Sequence, residues 1–282
     1  MTEVYLTETE SAYICPDDVD KNEAPCLLLP NTPNKPGRPT IGVLLARDGD
    51  AYEITKDYVR ALQKEDINLC FISYEYVSEQ IKNCDAIFLP GGAFDSPPEW
   101  EEDPTHTTAD RRFRAYETLI KEADKKNLPL MGICAGFQMT LGVLYPDKMH
   151  LSRVPEERQS FHRQDKKNRA HKVNLTPGSS LEKIFEASEI GVNSSHRQYI
   201  SVSTAKAMPG VEITALCPED GIVESVALKK HPNWLVVQWH PEVLADLGDK
   251  KMQALFHRFA EEAKLAYVQH NINTKGYNSG RS

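Results

Sequence analysis

Three short stretches carry residue types that could act together on an acyl group: Gly132-Ile133-Cys134-Ala135-Gly136, Trp239-His240-Pro241-Glu242 and Leu89-Pro90-Gly91-Gly92. In the first, a cysteine lies between glycines at i−2 and i+2. It follows the apolar run LPLMGI (128–133) and precedes the helical pattern GFQMTLGVL (136–144). A turn this tight from strand into helix strains its central residue, and side chains at the flanking positions would collide, so glycine serves on both sides. The thiol is lifted to the carboxyl end of a sheet, against a helix N-terminus whose N–H groups and dipole favour the thiolate. The chemistry implied is acyl transfer from an amide or ester. Taken alone, the motif reads equally well as a buried cysteine in a glycine turn.

A cysteine nucleophile needs a base, and the base needs an orienting group. His240 and Glu242 supply both directly after the apolar run WLVVQW (234–239). In an extended segment residues i and i+2 point to the same side, so the Glu242 carboxylate is expected to reach the His240 ring and support its imidazolium. Pro241 stiffens the backbone between them. The two glycines of Leu89-Pro90-Gly91-Gly92 let backbone N–H groups approach a ligand closely. Gly92 and Ala135 are therefore the expected oxyanion-hole donors.

The elements that would hold these motifs are legible around them. Short, continuously apolar runs at 41–45, 69–72, 86–89, 128–133 and 234–239 read as strands buried on both faces. Between them lie helical patterns at 53–64, 77–81, 109–126 and 136–144, and another closes the chain at 251–270. Strands alternating with helices imply an α/β fold: a doubly wound, mostly parallel central sheet with helices on both faces. Residues 151–172 read as a charged loop, and 173–228 as a β-rich, antiparallel excursion. Residues 1–40 read as an extended N-terminal arm, with four prolines between Pro30 and Pro39. Residues 41–270 form the domain, and 271–282 a polar, frayed tail.

Composition excludes several classes. The 282 residues are 40% hydrophobic and 26% charged, enough to close a sizeable core. With 41 acidic against 33 basic residues, the net charge of −8 argues against nucleic acid as the partner. No apolar run is long enough for a membrane span and no signal peptide is evident, so a cytoplasmic location is expected. The six cysteines lack CxxC pairing and zinc-type spacing. Reduced thiols and no metal or cofactor are the expectation.

The order strand-PGG, strand-GICAGFQ-helix, strand-WHPE resembles the class I glutamine amidotransferases, whose fold is flavodoxin-like, from about Ile41 to Ala263. Within them the chain is most similar to the gamma-glutamyl-gamma-aminobutyrate hydrolase group, the peptidase C26 branch. The likeness rests on DRRFRAYETLIKEADKKNLPLMGICAGFQ, on AHKVNL with GSSL after it, and on Val192-Asn193-Ser194-Ser195-His196-Arg197-Gln198. The resemblance implies a catalytic set of Cys134, His240 and Glu242, and a substrate site of Gly91, Gln138, Asn193, Ser194, His196 and Gln198. Glu224 would be a pocket wall. Two departures lie beside the pocket. That branch usually has arginine where this chain has Ala135, and an Asn-x-x-x-Gly-Gly segment where it reads Thr140–Pro146.

The activity implied is hydrolysis of the gamma-glutamyl amide of a small compound through a gamma-glutamyl thioester, by a chain that could pair as a homodimer. Two other readings use the same fold: a glutaminase subunit delivering ammonia to a separate synthase, and a binding protein without catalysis. The basic residues of 151–172, from Arg153 to Arg169, could meet substrate carboxylates or form a solvated flap.

Overall fold

The computed structural model describes residues 5–6, 11–14, 35–48 and 51–278. The main sheet is built on the apolar runs read as strands: β3 (Thr40–Leu44), β6 (Asn68–Ile72), β7 (Ala86–Leu89), β8 (Leu130–Ile133) and β15 (His231–Val237). These five pair in parallel in the order β6-β3-β7-β8-β15. The sheet then continues with antiparallel partners: β14 (Val223–Leu228), β13 (Val211–Leu216), β10 (His171–Leu175) and β11 (Glu189–Val192). The β-rich excursion is thus one wing of the central sheet. Two short strands, β9 (Ser152–Arg153) and β12 (Gln198–Tyr199), pair beside it.

Side chains alternate across the parallel strands because both faces are covered. Ile41, Val43, Phe88, Met131 and Ile133 join one buried cluster, together with Phe256 and Phe259 of α9 (Lys250–Asn278). That face also receives α1 (Lys56–Gln63), α6 (Ser180–Phe185) and α8 (Pro241–Asp246). Leu44, Ile87, Leu89 and Leu130 join the opposite cluster, together with Tyr116, Leu119 and Ile120 of α3 (Arg111–Lys126). The second face also packs α2 (Val77–Gln80), α4 (Ala135–Leu144) and α7 (Val202–Ala207). This is the mixed α/β sheet with helices on both faces that the sequence implies.

Several boundaries differ from expectation. The helix expected from Glu53 begins only at Lys56, because Ala51–Thr55 is strand β5, with Tyr52 and Ile54 buried at a period of two. It pairs with β4 (Ala46–Asp48) and with β2 (Ser11–Ile14), which pairs with β1 (Tyr5–Leu6). Part of the expected arm is therefore strand, and the remainder up to residue 34 lies outside the described residues. The charged stretch 151–172 is not a plain loop. It contains α5 (Glu156–His162), preceded by Pro155 at the N-cap. The closing helix runs through Asn278, past the expected end at His270, and 279–282 lie outside the described residues. No helix among the described residues is long and apolar enough to cross a membrane.

Candidate active site

Cys134 stands between β8 and α4 with φ 52° and ψ −104°, a conformation costing roughly 1–3 kcal/mol that its surroundings must enforce. Its N–H donates to the Val237 carbonyl at 2.8 Å, which ties the elbow to β15. Its carbonyl accepts from the Gln138 N–H at 3.1 Å. The flanking glycines are required by space. A Cβ on Gly132 would lie 2.8 Å from the Gly136 carbonyl oxygen, and one on Gly136 would lie 2.2 Å from that of Leu89. Ala135 is the first residue of α4, so its N–H has no partner within the helix.

His240 follows β15 and caps α8, with Pro241 at the first helical position. Glu242 sits in the first turn of that helix, so the pair is not held by an extended segment as expected; the helical turn brings the carboxylate round instead. The result is a 2.7 Å contact from His240 Nδ1 to Glu242 Oε1, with both side chains buried. Burial alone would depress this imidazole. The Glu242 carboxylate and then the Cys134 side chain outweigh burial and push the ring up to about 9, while the Lys166 ammonium acts against them. Nε2 of His240 meets no nitrogen or oxygen among the described residues, and the Cys134 side chain is the hydrogen-bonding neighbour that helps to raise the ring.

Gly91 lies where the parts meet. A Cβ there would be 2.9 Å from His240 Cε1 and 3.1 Å from Cys134 Cβ. The Gly91 N–H donates to the Tyr58 hydroxyl at 2.9 Å, and that oxygen also lies 3.4 Å from His240 Nδ1. On the other side of the loop, Tyr116 Oη donates to the Pro90 carbonyl at 2.5 Å. The Arg112 guanidinium donates to the carbonyls of Gly91 (2.8 Å) and Ala93 (2.9 Å). With its carbonyls engaged by α3, the loop is held at the elbow. Gly92 has φ 134°, and a Cβ there would run 2.5 Å from the Arg112 guanidinium.

The residues expected to line a substrate site divide by what they touch. Asn193 is fully buried and grips the His240 backbone, accepting its N–H at 3.0 Å and donating to its carbonyl at 2.8 Å. A third bond from the same amide reaches the Lys166 carbonyl at 2.6 Å. Ser194 donates to the His162 carbonyl at 3.1 Å. Gln138 donates to the Gln198 carbonyl at 2.9 Å and to Gln238 Oε1 at 3.0 Å. Asn193, and Gln138 through Gln238, thus brace the segment that carries His240.

His196 belongs to a second cluster. Its Nδ1 lies 3.0 Å from the Gln198 carbonyl, and its ring packs 4.8 Å from that of His162. Burial draws this imidazole down to about 4; Glu224 works against the shift, and His162 and His171 add to it. Glu224 is fully buried, with Oε1 3.0 Å from His171 Nε2. Of the basic residues in 151–172, Arg169 pairs with Asp249 and Arg153 donates to the Asp103 carbonyl.

Sequence reasoning passes over Tyr58, Arg112, Tyr116, His162 and His171. Tyr58 and Tyr116 are visible there only as members of apolar helix faces. Arg112 looks like any charged residue at the start of an amphipathic helix.

A strained cysteine above a parallel sheet, with a histidine and a carboxylate at the next strand end, defines a protein of the class I glutamine amidotransferase type. The peptidase C26 family model matches residues 47–242, and the chain belongs to that family. NtpR of Enterococcus hirae is 30% identical over 218 residues, covering 73% of this chain and 87% of that protein. The gamma-glutamyl-gamma-aminobutyrate hydrolase PuuD of Escherichia coli K12 is 30% identical over 209 residues, covering 71% and 78%. The fold is shared with a GMP synthase component from Thermoplasma acidophilum, at a TM-score of 0.57 and 19% identity, covering 83% and 98% of the two chains. It is also shared with the glutaminase domain of Trypanosoma brucei CTPS with bound acivicin, at a TM-score of 0.57 and 16% identity, covering 79% and 94%. Family membership supports a hydrolase or amidase activity.

Proposed function

We propose that the chain hydrolyses the gamma-glutamyl amide bond of a small gamma-glutamyl compound, with Cys134 as nucleophile, His240 as acid and base, and Glu242 as the group that orients His240. The observation that carries this reading is the buried line from Glu242 through His240 to the strained Cys134, in which the imidazole is pushed up to about 9. A base held in its charged form beside a sulfur favours the thiolate–imidazolium pair.

The Cys134 thiolate attacks the delta-carbonyl carbon, forming a C–S bond and placing negative charge on the carbonyl oxygen. The backbone N–H groups of Gly92 and Ala135 are the donors assigned to that oxyanion. As the tetrahedral species collapses, the C–N bond breaks and the His240 imidazolium gives its proton to the leaving amine. The gamma-glutamyl thioester remains on Cys134. His240, now neutral, takes a proton from water as the oxygen attacks the thioester carbon. The C–S bond then breaks and glutamate leaves, with the pair restored. Glu242 supports the imidazolium throughout.

The relative PuuD supports a gamma-glutamyl amide as the substrate class, since the activity in its name is of that kind. The test is a panel of gamma-glutamyl amides, glutamine included, assayed for amine or ammonia release with wild type and Cys134→Ala. Turnover of at least one amide by the wild type, falling by at least about a thousandfold in the variant while the thermal melt is retained, is expected. Equal activity in the two proteins would end the proposal. Release confined to glutamine would favour an ammonia-supplying glutaminase in its place.

A further inference from the structure

We propose that His162, His196 and Glu224, none of which the cysteine mechanism uses, form a binding site for a divalent transition metal of the zinc type. The three come from different places: the end of α5, the loop after β11, and β14. All are buried, and one ligand-capable atom from each lies within 4.8 Å of the others. No sequence spacing could have signalled this, since each ligand stands alone in its own segment.

The hydrogen bonds decide which atoms are free. His162 Nε2 lies 2.7 Å from Asp220 Oδ2, so that nitrogen carries the proton and donates, leaving Nδ1 with its lone pair. The neighbouring Ser194 hydroxyl, 3.4 Å from Nδ1, directs its own hydrogen to the His162 carbonyl. His196 Nδ1 faces the Gln198 carbonyl at 3.0 Å; a carbonyl only accepts, so Nδ1 is the donor and Nε2 holds the lone pair. That Nε2 has no partner among the described residues and lies 4.0 Å from Glu224 Oε1. Glu224 Oε1 is met by His171 Nε2, and Oε2 has no partner among the described residues.

Two imidazoles with a free lone pair and the Glu224 carboxylate thus share one buried cluster, in which His196 Nε2 and Glu224 Oε2 are unmet acceptors of the costly kind. A single water could donate to two of them; a cation satisfies all three. Each ring also has the outer partner that metal-ligating histidines use, a carboxylate for His162 and a backbone carbonyl for His196. Three protein ligands with a vacant fourth position suit tetrahedral zinc. Ligand atoms in such a site stand roughly 3.3 Å apart, so the ring must draw in on loading. His162, Cys217 and Asp220 form a second grouping that shares His162. The Cys217 thiol, however, donates to Glu219 Oε2, and Asp220 is already engaged by His162 and the Ile222 N–H. Occupancy would fasten α5 to the sheet and to the loop whose Asn193 grips the His240 backbone.

The test uses demetallated full-length protein carrying Cys134→Ala, so that the active-site thiol contributes no ligand. Cobalt(II) and zinc(II) are titrated in, with bound metal counted by mass spectrometry after gel filtration. One metal per chain and tetrahedral cobalt absorption without a sulfur-to-cobalt charge-transfer band are expected. Zinc should also raise the thermal midpoint in a concentration-dependent way. Glu224→Gln, which keeps the shape, and His196→Gln should each weaken binding by at least about a hundredfold. Absence of metal uptake by the parent protein would overturn the proposal. So would a sulfur charge-transfer band, which would place the metal at Cys217, or unchanged affinity in Glu224→Gln.

Discussion

Two of the buried histidine–glutamate pairs among the described residues have imidazoles driven in opposite directions. His240, 2.7 Å from Glu242 and beside Cys134, is pushed up to about 9 against its burial. His196, 4.0 Å from Glu224, is drawn down to about 4 by burial, and the carboxylate does not reverse it. Burial works against charge on both rings, so the neighbours decide. At His240 a carboxylate in direct contact and the neighbouring Cys134 side chain both favour the proton. At His196 the carboxylate is farther away and its near oxygen is shared with His171, while the His162 ring packs against it and the His162 and His171 imidazoles both oppose a charge there. The residue pair is the same, but one arrangement favours the protonated ring and the other the neutral one.

Removing each carboxylate in turn is the sharpest way to break this contrast. In Glu242→Gln the His240 imidazolium loses its largest supporting charge and burial prevails, so the ring falls below its raised value. Turnover should drop by roughly a thousandfold to ten-thousandfold, as when a triad carboxylate is neutralised elsewhere. Steady-state kinetics on the responsive gamma-glutamyl amide would show kcat falling much further than KM changes. A drop of less than tenfold would mean that Glu242 does not orient the base.

The opposed shifts also predict opposed pH windows for stability. The folded value for His240 lies above its ordinary 6.5, so the stability it lends is complete below about pH 6.5 and is lost as pH climbs towards about 9. The folded value for His196 lies below 6.5, so its contribution is complete above about pH 6.5 and is lost as pH falls towards about 4. Thermal midpoints of demetallated protein should decline on both sides of neutrality. Glu242→Gln should flatten the alkaline side alone, and His196→Gln the acid side alone. If both variants changed the same limb, the assignment of the two rings would be wrong.

How much of this is readable in the sequence follows the same divide. Cys134, His240 and Glu242 each lie in a contiguous motif at the end of an apolar strand, where local pattern and tertiary position coincide. The second cluster takes one residue each from α5, β10, the loop after β11 and β14, and only pairing of the antiparallel wing brings them together. The VNSSHRQ segment stands out in the sequence, yet Asn193 and Ser194 spend their hydrogen bonds on the protein backbone, a use that residue type cannot reveal. The parallel sheet is legible because strands buried on both faces have no polar side to disguise them. β5 is hidden because its period-two burial of Tyr52 and Ile54 passes into the helical pattern of α1 without a break.

The smallest expected effect concerns Tyr58, where a buried apolar-face residue proves to carry a polar duty. Its hydroxyl accepts the Gly91 N–H at 2.9 Å and lies 3.4 Å from His240 Nδ1, so one oxygen touches both the glycine loop and the base. Burial first, then the Glu242 and Cys134 charges, hold its pKa far above the ordinary tyrosine value, which keeps it a neutral phenol. Tyr58→Phe retains the ring that packs edge-on against Phe88 and removes only this oxygen, leaving the Gly91 N–H without its acceptor. At about 1 kcal/mol for one neutral hydrogen bond, kcat should fall about fivefold and the thermal midpoint by a few degrees at most. A purely structural role would lower the midpoint and leave kcat intact. The position of the pH–rate limb assigned to His240 should also shift if the phenol senses the imidazole, and an unmoved limb with unchanged kcat would restrict Tyr58 to filling space.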